Sequence, residues 1–147
     1  MKSWIGFRFV CLAAALFFSA CQIQAQEKEK TVKKAPIQHT SPASGKEMFM
    51  SYCAVCHGKD AKGAGPATEA LKTTPPDLTT LAKRHDGNFP KDYVSSILRN
   101  GVKAPAHGTT DMPVWGPLLR SVSGGDESIV NMRIGNLVRY LESIQAK

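Results

Sequence analysis

The sequence predicts an all-α chain, and three observations carry that reading. Apolar residues recur at helical spacing in three separate stretches; no convincing strand pattern appears; and glycine and proline gather between the periodic stretches. The first stretch opens near Ser44, an N-cap residue with Glu47 three positions later. It sets Met48, Phe49 and Tyr52 on one face and is expected to end around Cys53 and Cys56. The second runs from about Lys91 to Arg99, with Tyr93, Val94, Ile97 and Leu98 as its buried stripe and Gly101 past its end. The third, from about Asp126 to Gln145, has the stripe Val130, Ile134, Leu137, Leu141 and Ile144. Gly63-Ala64-Gly65-Pro66, Thr74-Pro75-Pro76-Asp77 and Met112-Pro113 read as loops, with a short helical turn expected near Leu78 to Lys83.

The 147 residues divide by composition into three parts. Residues 1–20 carry Lys2 and Arg8 and then an apolar run from Phe9 to Phe18, the pattern of a secretory signal, and short of the ~20 residues a membrane span needs. Phe18-Ser19-Ala20-Cys21 resembles a lipobox, which would leave lipid on Cys21; Ile23-Gln24-Ala25 offers a rival cleavage site and a soluble product. Residues 21–43 are polar, basic and aperiodic, and read as a flexible linker. Residues 44–147 are the folded domain. The formal charge of +7, less the charges on Lys2 and Arg8, leaves +5, much of it in Lys28, Lys30, Lys33, Lys34 and Lys46. Such a tail suits an acidic partner or an anionic surface, or is simply solvated; without interleaved aromatics it does not indicate nucleic-acid binding.

About 100 residues with three helices and long loops make a thin core. A large apolar prosthetic group would supply the missing interior. Cys53-Ala54-Val55-Cys56-His57 names that group. Two cysteines three positions apart can reach two vinyl groups on one porphyrin edge, and the adjacent histidine can then ligate the iron; C-x-x-C-H is the c-type haem attachment pattern. A thioredoxin-like dithiol would want a βαβ context. A zinc site would want further ligands at metal spacing, and His39, His85 and His107 are scattered.

The iron's sixth position has candidates in Met48, Met50, Met112 and Met132. Three of these fall in helices, where packing is the default role. Met112 lies in a loop stiffened by Pro113 and is the favoured ligand; His107, five residues upstream, is the alternative. Methionine ligation would raise the reduction potential.

With these motifs, and with Met112-Pro113-Val114-Trp115-Gly116, the stretch from Ser44 onward resembles the class I cytochrome c family. That resemblance implies a cytochrome c fold of three main helices and long loops wrapped around one covalent haem c. It implies that Gly45 and Phe49 on the first helix meet Leu137 and Tyr140 on the last, with Gly135 a further contributor to that crossing. It implies that the carbonyl of Pro66 receives the proximal imidazole N–H, and that Trp115 lines the haem pocket and bonds a propionate. The function expected is outer-sphere electron transfer, not catalysis, in an exported, periplasmic and soluble or lipid-tethered protein. Its partners would be redox proteins, or a larger dehydrogenase or oxidase. An open sixth position would instead make a gas sensor or peroxidase, with His107 as the distal group.

Overall fold

The computed structural model describes residues 37–101 and 112–147. Cys21 and His107 lie outside the described residues. Among these residues the only regular elements are helical, as the periodicity predicts. They are α1 (Gly45–Met48), a π-helical turn (Phe49–Cys53), α2 (Ala54–His57), α3 (Lys91–Asn100), α4 (Trp115–Ser121) and α5 (Glu127–Ser143). Short 3-10 turns at Thr68–Ala70, Leu78–Thr80 and Lys83–His85 punctuate the long loop between α2 and α3.

The first expected helix is therefore a composite that stays helical to His57. Ser44 caps it by accepting from the Glu47 backbone N–H at 3.2 Å. The Glu47 carboxylate does not close a capping box; it accepts from the Ser41 N–H instead. The last helix is capped by Asp126, which accepts from the N–H groups of Ser128 and Ile129. One helix was not anticipated. The segment after Met112 reads as loop because of Pro113, Gly116 and Pro117, yet α4 starts at Trp115. Pro117 sits in its first turn, where a missing N–H costs nothing.

The core gathers Met48, Phe49, Tyr52, Val94, Leu98, Trp115, Leu119, Val130, Ile134, Leu137, Val138 and Leu141. α1 crosses α5 with no room to spare. A Cβ on Gly45 would lie 2.1 Å from the Asn136 carbonyl oxygen, and Phe49 packs on Tyr140 with ring centroids 5.3 Å apart. Gly135 has no part in this crossing: a Cβ there would meet only Arg139 Nη1, at 3.8 Å. α3 runs antiparallel to α5. Its start, Lys91, pairs with Glu142 at 2.9 Å, and its end, Arg99, bonds Asn131 at 2.6 Å. Tyr93, expected in its buried stripe, is exposed, as are Met50 and Met132.

The folded unit also starts earlier than Ser44. Thr40 is buried, Asn136 donates to the Pro42 carbonyl at 2.8 Å, and the Tyr52 hydroxyl reaches both Thr40 Oγ1, at 2.7 Å, and the Gln38 carbonyl. Residues 38–42 thus form a strap across α1 and α5. Polar residues make this stretch look like linker; the side chains of Glu47, Tyr52, Arg133 and Asn136 hold it.

Candidate functional site

Cys53 closes the π turn, and Cys56 and His57 end α2, so the C-x-x-C-H sequence lies at a helix C-terminus. A helix end leaves carbonyls without intrahelical partners. Here the following loop supplies every one. The carbonyl of Ala54 accepts from Gly58 N–H, that of Val55 from Ala67, that of Cys56 from Gly65 and from the Thr68 hydroxyl, and that of His57 from Gly63 at 2.7 Å. Gly65 is required by this embrace: a Cβ there would lie 2.4 Å from the Val55 oxygen. Gly63, with φ +88°, presses against the Pro75 carbonyl in the same way. The end of the motif helix is thus wrapped by its own loop, which fixes the backbone that carries Cys56 and His57.

Both cysteines are free and partly buried. Burial, reinforced by the neighbouring Cys56, pushes the Cys53 thiol up to about 12. Burial raises Cys56 as well. Both are therefore uncharged thiols at neutral pH. A redox dithiol needs the opposite, a depressed pKa and a ready thiolate. Among the described residues no cluster of His, Cys, Asp and Glu could hold a metal ion by itself.

Burial pushes the His57 imidazole down, and the backbone carbonyl of Pro76 partly opposes this. Nδ1 of that ring is buried with no hydrogen-bond partner at full geometry. Pro76, not Pro66, is the proline facing the imidazole; Pro66 is an exposed turn residue. The reason lies in the loop. Leu78 N–H donates to the Ala61 carbonyl at 2.8 Å and Gly63 backs onto Pro75, which folds the Pro75-Pro76 segment toward the motif. Gln145 completes it from the far end of the chain, accepting from Ala82 N–H and donating to the Leu78 carbonyl, both at 2.9 Å. Neither Gln145 nor Thr68 carries any signal in the sequence; both act through backbone groups.

Met112 is partly buried and packs against the core. Three residues on, Trp115 is buried and stacks on Tyr52, centroids 5.6 Å apart and planes 25° apart. Tyr52 is the neighbour of Cys53, so the Met112 segment is joined to the motif helix by an aromatic pair. Gly116 lets α4 rest on the end of α3: a Cβ there would lie 2.3 Å from the Arg99 oxygen.

The two free thiols and the His57 imidazole, brought to one helix end, fit a covalently held haem.

Comparison with known proteins points the same way. Residues 40–123 match the family described as cytochrome C oxidase, cbb3-type, subunit III. Cytochrome c-551 of Bacillus subtilis (strain 168) is 29% identical over 97 residues, which cover 64% of this chain and 86% of that protein. No solved structure matches.

Proposed function

Because this chain belongs to the cytochrome c family just matched, as a small c-type cytochrome with covalently bound haem c, we propose that it is an electron carrier whose haem is attached through Cys53 and Cys56 and ligated by His57 and Met112. The observation that carries the assignment is the free pair Cys53 and Cys56 held with the His57 imidazole at one loop-wrapped helix end. Haem bound there supplies one-electron iron chemistry. The residues of the chain do the rest. Cys53 and Cys56 fix the group in one orientation, and the loop from Gly58 to Thr68 keeps the motif rigid. The Pro76 carbonyl favours a proton on the ring nitrogen it faces, which raises the basicity of the other nitrogen as a ligand. Met112 would hold the iron with a weak sulfur donor, which would raise the reduction potential and leave substrate no place to bind. Trp115 lines the pocket on the Met112 side.

The chain works after export, with residues 1–20 removed and Cys21 available for lipid; the basic residues that follow attract an acidic redox partner. Among the described residues no helix is long and apolar enough to cross a membrane.

Intact-mass measurement of protein matured in an exporting host tests the assignment. One haem should survive denaturation in the wild type, and none in the Cys53→Ala, Cys56→Ala double variant. Rapid mixing with small outer-sphere oxidants and reductants should then show one-electron exchange. A wild-type mass without haem would end the proposal.

A further inference from the structure

Arg133 is a buried cation, 4% exposed, in the middle of α5. Among the described residues no carboxylate pairs with it. Its partners are neutral: Nε donates to Ser123 Oγ at 3.1 Å, and Nη1 to the Thr40 carbonyl at 3.0 Å and Thr40 Oγ1 at 3.1 Å, with Met48 Sδ at 3.7 Å. Removing a charge from water with no opposite charge beside it is expensive, and an apolar residue of similar volume is often no worse for stability. A packing role alone does not call for arginine.

What the guanidinium does is join segments distant in sequence. Thr40 belongs to the strap, and Ser123 to the turn that leaves α4. The matched family segment, residues 40–123, stops at those two residues, and Arg133 lies outside it. The contacts then continue inward. Thr40 Oγ1, held by Arg133, shares a hydrogen bond with the Tyr52 hydroxyl. Tyr52 stacks on Trp115, the first residue of α4 and three residues from Met112. Both ends of α4 are thereby tied to one cation: the far end through Ser123, the near end through Thr40, Tyr52 and Trp115.

We propose that Arg133 and Thr40 are positioning residues for Met112: by clasping the strap and the exit of α4, they set the Tyr52–Trp115 stack and so hold the methionine sulfur at its working position. The inference rests on Met112 being the sixth ligand. It adds that the strap, which leads into the chain's N-terminal segment, is part of what keeps the ligand in place.

The experiment uses the matured holoprotein and the variants Thr40→Val, Thr40→Ser and Ser123→Ala. Thr40→Val keeps the shape and deletes the hydroxyl; Thr40→Ser restores it. Three readouts are followed: the red-edge sulfur-to-iron band through a denaturant titration, far-ultraviolet circular dichroism through the same titration, and carbon monoxide affinity of the reduced protein. Loosening the ligand raises the fraction of open iron, so Thr40→Val should bind carbon monoxide about ten-fold more tightly. Its band should vanish at lower denaturant while the helical signal holds near its own midpoint. Thr40→Ser should behave as wild type. Ser123→Ala should shift in the same direction as Thr40→Val, and it decides the question if Thr40→Val fails to fold. Band and helix lost together in both deletion variants, with wild-type carbon monoxide affinity, would overturn the positioning role and leave Met112 as ligand. A wild type that lacks the band and binds carbon monoxide freely would remove Met112 from the iron, and this inference with it.

Discussion

A single hydrogen atom decides how α1 meets α5. Gly45 has none of the room a methyl group needs, since the Asn136 carbonyl occupies it. Gly45→Ala should destabilise the folded protein by about 1–3 kcal/mol, the usual cost of overpacking. Gly135→Ala is the matched control one helix face away. Its new methyl meets only the end of Arg139, so the change should stabilise by about 0.5–1 kcal/mol through helix propensity. Denaturant midpoints of the two variants should move in opposite directions. The contrast also shows what was legible. The Gly-x-x-x-aromatic pattern of Gly45 and Phe49 identifies a close approach from sequence; Gly135, equally prominent in the sequence, has open space, and only the fold distinguishes them. The same holds for the prolines. Pro66 and Pro76 both follow His57 in Gly- and Pro-rich loop, and which of them meets the imidazole depends on the Ala61–Leu78 bond and on Gln145, neither of which has a pattern.

At the scale of elements, the motif helix is stable because its loop satisfies its carbonyls. Thr68 bonds both the Cys56 and the Gly63 carbonyls at 3.0 Å. Thr68→Val should cost about 1 kcal/mol, since the hydroxyl shares its one proton between the two carbonyls and Cys56 keeps its bond from Gly65 N–H. Its mark is local: hydrogen exchange should accelerate at Gly63, Gly65 and Ala67 more than in α5. Two helical elements are capped by aspartates with depressed pKa values. The Thr79 hydroxyl lowers Asp77 most; desolvation opposes it, and the Thr79 N–H and the charges of Lys62 and Arg84 add to the lowering. Ser128, through its side chain and backbone, lowers Asp126, with Ile129 N–H adding to it. A carboxylate whose folded pKa is depressed contributes stability above its unfolded value, and loses it as pH falls through the folded one. Between neutral pH and the ordinary carboxylate value near 3.8 the caps hold; below it the starts of α5 and of the Leu78–Thr80 turn should fray first, seen as amide exchange rising there before the helix interior. Asp126→Asn, which caps without titrating, should flatten that acid dependence. Three of the helices were readable from apolar period and caps. α4 was not, because Pro113, Gly116 and Pro117 mimic a loop, and two of them have a helical reason: Gly116 for contact with α3, Pro117 for the first turn.

For the molecule as a whole, the thin core expected from three helices and long loops is what the described residues show. The strap and the C-terminal residues supplement it. Gln145 and Ala146 hold the Leu78–Ala82 turn while Asn136 and Arg133 hold the strap, so α5 organises both the proximal loop and the N-terminal approach. Of the positive excess left without Lys2 and Arg8, Lys28, Lys30, Lys33 and Lys34, offset by Glu27 and Glu29, place a net +2 ahead of the fold, and the rest of the chain carries +3. Electron transfer to an acidic partner should therefore slow as salt shortens the screening length from about 30 Å at 0.01 M to about 10 Å at 0.1 M. Truncation before Ile37 should remove part of that dependence, in keeping with a net +2 lost and +3 kept, and leave exchange with uncharged reagents unchanged. A rate indifferent to salt in the full chain would count against electrostatic docking.

The measurement that bears most directly on the central assignment is the absorption spectrum of the matured protein, oxidised, reduced and reduced under carbon monoxide, beside that of Met112→Ala. A carrier with His57 and Met112 both on the iron should give sharp low-spin bands, a weak red-edge sulfur-to-iron band that Met112→Ala abolishes, and no response of the wild type at carbon monoxide concentrations that saturate Met112→Ala. A high-spin spectrum with ready carbon monoxide binding in the wild type would contradict it, taking Met112 off the iron and making the site one that binds or transforms a small molecule.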